Sequence, residues 1–173
     1  MILTGLGPVT AWRMHAPRWA AEPLSGAGAG AHGGRANRPG TPALYLALEA
    51  QTALREYQQL SPLMPPGTLV SYTVAVEPVV DFRGGHEAGP WAASWQDFGC
   101  DWRQLWFDQR IEPPSWALAD QALAVGAKGI LFRSMLVPEG TNLVIYNAML
   151  DKGDRLEVYD PAGDLPRNQD SWR

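Results

Sequence analysis

A glycine-rich stretch early in the chain, GGRANRPGTPALYL, carries residue types that suit the binding of an anion. It places Arg35 and Arg38 among glycines and prolines, and then leads into an apolar segment that contains Tyr45. Backbone N–H groups exposed in such loops can hold anions, and the planar guanidinium of arginine makes paired contacts with phosphate or carboxylate. The stretch therefore predicts an anion-binding loop.

An amphipathic helix is predicted next, over EAQTALREYQQL, because its apolar residues recur at helical spacing. Glu56 lies at the edge of the apolar face, from which its carboxylate can face a neighbouring cleft. Taken singly, such residues also suit ordinary surface or core roles. The candidate site residues found in this way are dispersed along the chain: Arg13, Arg35, Tyr45, Glu56 and Ser134.

Several well-known site motifs are absent or unsupported. The segment from Gly28 to Gly33 fits G-x-G-x-x-G, but neither the preceding strand nor the following helix of a dinucleotide-binding fold is predicted around it. No G-x-S-x-G or phosphate-loop motif occurs. His15, His32 and His86 have no ligand spacing with one another or with Cys100, so no metal site is predicted.

Length and composition indicate one globular domain spanning residues 1–173. The net charge of −4 argues against direct binding of nucleic acid by this chain. All but two of the 14 basic residues are arginines, the exceptions being Lys128 and Lys152. The single cysteine, the lack of a signal-peptide pattern and the lack of a membrane-length apolar run predict a cytoplasmic protein with no membrane association.

The order of predicted elements is that of an α+β fold. Residues 17–42 read as loop, and residues 84–107 as a tryptophan-rich cover packed by large rings. Helices are predicted over 49–60 and 115–125. Strands are predicted over 9–15, 43–48, 68–76, 79–82, 129–133, 142–148 and 155–159.

Several of these motifs together resemble the RES domain family, over about residues 9–159. The resemblance rests on Trp12-Arg13, the GGRAN segment 33–37 with Gly40, Leu44-Tyr45-Leu46 and Ala53-x-x-Glu56, and later on Gly99-Cys-Asp-Trp102, GILFRS at 129–134 and NLVIYN at 142–147. The chain departs from the family pattern at Ala36, where an aromatic is usual, and around Ser134, which sits in FRSML.

The resemblance implies an ADP-ribosyltransferase-like fold, in which a twisted β-sheet core carries flanking helices. It also implies NAD⁺ as a substrate, broken down by hydrolysis or phosphorolysis of its ribose–nicotinamide bond, with no further cofactor. The implied catalytic residues are Glu56, Arg35 and Ser134, and the implied substrate-binding residues are Arg13, Tyr45 and Asn142.

Five of the six implied residues have roles that suit this chemistry. Arg13 and Arg35 would clamp the pyrophosphate. Tyr45 would offer its ring face to the cationic nicotinamide or its hydroxyl to the ribose. The carboxylate of Glu56 would stabilise positive charge that develops on the ribose, and Ser134 would position ribose or nicotinamide by hydrogen bonding.

The family resemblance also implies partners. Family members are typically toxins that are blocked by a helical, DNA-binding antitoxin, and self-association into homodimers is common among them. Two alternatives remain open from the sequence: a protein ADP-ribosyltransferase that uses the same NAD⁺ site, and a non-enzymatic interaction module that binds a partner through its tryptophan-rich segment.

Overall fold

A computed structural model describes residues 1–172 of the chain. The strands are β1 (Leu3–His15), β2 (Leu44–Ala47), β3 (Thr68–Asp81), β4 (Gly129–Arg133), β5 (Thr141–Ile145) and β6 (Arg155–Val158). The helices are α1 (Ala27–His32), α2 (Ala50–Gln58) and α3 (Pro114–Ala124). No helix among residues 1–172 is both long enough and apolar enough to cross a membrane.

The six strands form one mixed, twisted sheet whose pairings close into a ring. The order β1-β2-β5-β4-β3 returns to β1, because β1 and β3 also pair, from Leu3 opposite Val80 to His15 opposite Thr68. All pairings are antiparallel except β3 with β4, and β6 adds to the side of β3. The α+β class predicted from the sequence is confirmed.

Alternation along the strands gives the sheet two apolar faces. On β4 and β5, Leu131, Leu143 and Ile145 belong to the cluster inside the ring, together with side chains from β1, β2 and β3. Ile130 and Val144 point the other way, into a second cluster that packs beneath α3 and the tryptophan-rich segment. This double burial explains the almost continuous apolar runs of β4 and β5.

The tryptophan-rich segment packs as the ring-rich cover predicted from the sequence. Trp95 and Phe98 stack with ring centroids 5.7 Å apart, and Phe82 contacts Trp91 edge-to-face at 4.8 Å. Phe98 also meets Phe132 of β4 edge-to-face at 5.3 Å, which fixes the cover on the sheet. The backbone of this cover forms short 3-10 turns and, over Gln104–Asp108, one π-helical turn.

Two predictions of local structure were wrong. The segments predicted as two strands, 68–76 and 79–82, are a single strand. Pro78 does not break it, because the pairing with β1 is irregular at this point and no β-sheet hydrogen bond there requires the N–H that proline lacks. The predicted loop 17–42 contains helix α1 over Ala27–His32. Alternating alanines have enough helix propensity to form this one short turn despite the glycines between them.

Candidate active site

A cavity of about 420 Å³ lies where β1, β2 and α2 meet the glycine-rich loop and the tryptophan-rich cover. Five of the six side chains predicted from the sequence line it: Arg13, Arg35, Tyr45, Glu56 and Asn142. Ser134 lies next to the cavity and contacts Glu56. Residues separated by more than a hundred positions in the chain therefore converge on one space.

Glu56 is held by two side chains at one of its oxygens. Its Oε1 accepts hydrogen bonds from Ser134 Oγ at 2.7 Å and from Asn142 Nδ2 at 2.6 Å. Its Oε2 has only a long contact, 3.5 Å, with Gln59 Nε2. The carboxylate is thus fixed in orientation while one oxygen keeps most of its capacity to interact with a ligand.

Helix α2 is anchored to the sheet at its first turn, and this positions Glu56. Glu49 Oε2 accepts hydrogen bonds from Thr52 Oγ1 at 2.8 Å and from the backbone N–H of Thr141 at 2.9 Å. A carboxylate at a helix N-terminus is also stabilised by the helix dipole. Because Asn142 follows Thr141 on β5, the same anchor brings the Asn142 amide within reach of Glu56.

Ser134 uses its hydroxyl to position the carboxylate. The oxygen accepts from the N–H groups of Leu136 and Val137, each at 3.1 Å, and its hydrogen is donated to Glu56. The sequence predicted that this hydroxyl would position ribose or nicotinamide directly. In the structure its one hydrogen is engaged by Glu56, so its direct contact is with the acid.

The glycine-rich loop owes its shape to close contacts that only glycine permits. A Cβ at Gly34 would lie 2.4 Å from the Tyr45 hydroxyl, and Gly33 has a positive φ of 80°. The Tyr45 hydroxyl donates to Asn37 Oδ1 at 2.7 Å and accepts from the Ala36 N–H at 2.9 Å. The loop is therefore built around the tyrosine of β2.

These contacts correct the expectation for the Tyr45 hydroxyl. Its hydrogen is donated within the protein, and burial raises its pKa well above the ordinary value. The hydroxyl therefore has no hydrogen to donate to a ribose, and the expectation that the ring of Tyr45, a residue that lines the cavity, faces the nicotinamide remains a prediction.

Arg35 ties the glycine-rich loop to the cover. Its Nη1 donates to the backbone oxygens of Phe98 at 3.0 Å and Cys100 at 2.9 Å. These carbonyls do not neutralise its charge, and burial lowers the pKa of its guanidinium. Its other N–H groups remain for a ligand.

Arg13 has an unsatisfied buried donor. Its Nη1 is inaccessible and has no hydrogen-bond partner among residues 1–172. Burial lowers the pKa of this guanidinium, which nevertheless remains charged near neutral pH. A buried cation without a carboxylate is unfavourable, so an anion in the cavity would stabilise it.

Arg38 does not share the anion site with Arg35, contrary to the expectation from the sequence. It forms ion pairs with Glu112 at 3.0 Å and Asp120 at 2.6 Å. Its hydrogen bonds to Asp120 and Glu112 raise its pKa above the ordinary value. This arginine instead fixes the loop to helix α3 and the segment before it.

The position that departs from the family pattern, Ala36, is completely buried. Its backbone oxygen accepts from the Tyr146 hydroxyl at 2.9 Å, and the Trp116 indole N–H donates to Gly34 O at 2.7 Å. The loop is thus held by aromatic side chains from other elements although position 36 itself has none.

Sequence reasoning missed one cation on the cavity wall, Arg103. Its guanidinium carbon lies 4.6 Å from the centre of the Trp102 ring, and both residues line the cavity. The adjacent W-R pair was the available signal, because arginine stacks readily on tryptophan. Among residues 1–172 no group of three or more His, Cys, Asp or Glu side chains is arranged to hold a metal ion.

The fold and the site define a class: an α+β protein with a cation-rich cavity and one fixed carboxylate. A family model for the RES domain matches residues 10–168, and the chain belongs to this family. Among solved structures, it is similar to one described as the crystal structure of the M. tuberculosis MbcT–MbcA toxin–antitoxin complex. That likeness has a TM-score of 0.57 and 23% identity over 86% of this chain and 81% of the other, and it supports the fold. No curated protein matches the sequence.

Proposed function

We propose that this protein is the toxin of a toxin–antitoxin pair and that it degrades NAD⁺ by cleaving the ribose–nicotinamide bond. The observation that carries the proposal is the cavity that joins Arg13 and Arg35 to a hydrogen-bonded Glu56. Membership of the RES domain family supports the toxin role, as does the fold shared with a protein of a toxin–antitoxin complex.

The cavity suits the charge distribution of NAD⁺. Two guanidinium groups without carboxylate partners favour the pyrophosphate, whose oxygens accept several charge-assisted hydrogen bonds. The ring of Tyr45 offers a face to the cationic nicotinamide. Glu56 lines the same cavity as these cations, and its Oε2 retains acceptor capacity.

In the proposed reaction the bond between the anomeric carbon and the nicotinamide nitrogen breaks. The bonding electrons leave with nicotinamide, which becomes neutral and needs no proton, and positive charge develops on the ribose. Glu56 stabilises that charge in the transition state more than in the ground state. Water then adds with loss of a proton to give ADP-ribose, or phosphate adds to give ADP-ribose 1″-phosphate.

An antitoxin partner follows from the same proposal. A toxin that consumes NAD⁺ needs an inhibitor in the cell that makes it, and the structurally similar protein was crystallised within a toxin–antitoxin complex. We expect the antitoxin to be a small helical protein that carries the DNA-binding function.

The test is NAD⁺ consumption by the purified protein, with and without phosphate, followed by analysis of the products. Free nicotinamide with ADP-ribose or its 1″-phosphate supports the proposal and identifies the acceptor. If labelled NAD⁺ leaves its ADP-ribose attached to protein, the activity is protein ADP-ribosylation and the proposal of NAD⁺ degradation is wrong. An unchanged NAD⁺ pool and normal growth of bacteria that express the chain would overturn enzymatic activity altogether.

A further inference from the structure

The cavity wall contains an arginine–tryptophan stack to which the proposed reaction assigns no role. The guanidinium of Arg103 lies over the Trp102 ring at 4.6 Å, and the indole, 8% exposed, packs in turn on Phe107. A second such stack, Arg38 over Trp116, lies outside the lining of this cavity. The first stack therefore presents a flat cation to the cavity.

The charge of Arg103 is not used elsewhere in the described part of the chain. Its only described contact within residues 1–172 is the Trp102 ring; no carboxylate or carbonyl accepts its N–H groups. It lies close enough to Arg35 that, besides the dominant effect of burial, it contributes to the lowered pKa of that guanidinium. Arg103 is exposed, so solvent screens part of this repulsion, and an anionic ligand beside both guanidinium groups would be attracted by both charges.

The segment that carries the stack is fixed relative to the rest of the site. Arg35 donates to the carbonyls of Phe98 and Cys100, which lie in the same segment, shortly before Trp102. A π-helical turn over Gln104–Asp108 follows, and such turns recur at functional sites. Arg35 thus connects the glycine-rich loop with the segment that carries the stack. Arg35 also lines the same cavity as Glu56.

We propose that Arg103, held flat on Trp102, forms the subsite for the adenylyl half of the dinucleotide. This inference rests on the proposed function, in which Glu56 serves the nicotinamide ribose and Arg13 with Arg35 serves the pyrophosphate. The adenosine is the part of NAD⁺ left without a partner. A guanidinium plane stacks well on a purine, and its N–H edge reaches phosphate oxygens at the same time.

The prediction is tested with two substrates that share the bond to be cleaved. NAD⁺ has the adenylyl half, and nicotinamide mononucleotide lacks it. Arg103→Gln should raise the KM for NAD⁺ about tenfold or more, as expected for a lost stacking and charge contact, and change kcat little. The kcat for NAD⁺ should hold because a lost uniform binding contact raises KM alone, and the KM for nicotinamide mononucleotide should stay within about twofold because this substrate lacks the adenylyl half.

A matched control is Arg110→Gln. Arg110 is exposed, lies in the same segment and does not line the cavity, so its loss should affect neither substrate. Equal effects of Arg103→Gln on both substrates, or no effect on either, would overturn the adenylyl subsite while leaving NAD⁺ cleavage in place.

Binding of 5′-AMP, measured by calorimetry, separates this inference from the proposed function. Should the wild-type protein cleave neither substrate yet bind AMP about tenfold more tightly than the Arg103→Gln variant, the subsite stands and the proposed reaction fails. Equal AMP affinities of the two proteins would contradict the subsite whatever the activity.

Discussion

Replacing Glu56 with glutamine tests the proposed chemistry with little change in shape. Both strong hydrogen bonds to this side chain, from Ser134 and Asn142, end on Oε1. The carbonyl oxygen of glutamine can accept the same two bonds, and the new amide nitrogen would take the place of Oε2, which has only the long contact to Gln59. The variant therefore removes the negative charge and keeps the geometry.

The expected loss of turnover follows from that charge alone. Removing one group that stabilises transition-state charge lowers kcat by about 10²–10³, or about 2.7–4 kcal/mol. The KM for NAD⁺ should change less, because the guanidinium groups that would hold the pyrophosphate are untouched. Folding stability should decrease by less than about 1.5 kcal/mol, since two charge-assisted hydrogen bonds become neutral ones.

The assay is initial-rate NAD⁺ turnover, with thermal unfolding measured on the same preparations. Glu56→Ala serves as a contrast, because it leaves the donors of Ser134 and Asn142 without a partner and should cost about 1–3 kcal/mol of stability for each buried donor. Turnover by Glu56→Gln within about threefold of wild type, with the fold intact, would remove Glu56 from the mechanism.

Three further predictions concern Arg13, His15 and Ser134. Arg13→Met should raise the free energy of unfolding by about 1 kcal/mol or more, because it removes a buried cation with an unsatisfied donor. The same variant should raise the KM for NAD⁺ at least about tenfold, whereas the control Arg38→Gln, away from the cavity, should leave KM unchanged. A destabilised Arg13→Met protein would refute the argument. Burial, with a smaller effect of the nearby Arg13 charge, lowers the pKa of His15 to about 4 from 6.5. The free energy of unfolding should therefore fall by about 3 kcal/mol in all as pH drops from about 6.5 to 4. In denaturant unfolding, His15→Gln should flatten that pH dependence, and the control His32→Gln should not. Ser134→Ala should lower kcat more than it raises KM, because it removes one of the two hydrogen bonds that orient Glu56, and a pure KM effect would instead indicate direct contact with substrate.

The sequence predicted the positions of the main elements well, because apolar periodicity and turn residues report local preferences. Strand β4 was predicted with its observed bounds, and α3 within one residue. The ring closure between β1 and β3 was not predicted, since pairing partners depend on long-range geometry. The same holds for Arg38, whose partners Glu112 and Asp120 lie more than 70 positions away.

The site residues show a similar division. Arg35 and Glu56 were found from a glycine-rich loop and a helix edge, both of which are local patterns supported by the family resemblance. What Ser134 contacts could not be read from the sequence, because its hydroxyl meets Glu56 only after β4 and α2 come together. Arg103 was missed because an arginine beside a tryptophan is informative only once both are known to face the same cavity.

The distribution of charge argues for a ligand and against a purely structural cavity. Surface arginines such as Arg38 and Arg155 form ion pairs with nearby carboxylates. The three that line the cavity, Arg13, Arg35 and Arg103, form none among residues 1–172, and burial lowers the pKa of the Arg13 and Arg35 guanidinium groups because desolvation makes their charges costly. A protein that only needed to fold or to dock through its tryptophans would gain stability by replacing Arg13 and Arg35 with apolar residues. Their presence is consistent with a ligand that brings adjacent negative charges into this space, as the pyrophosphate of a dinucleotide does.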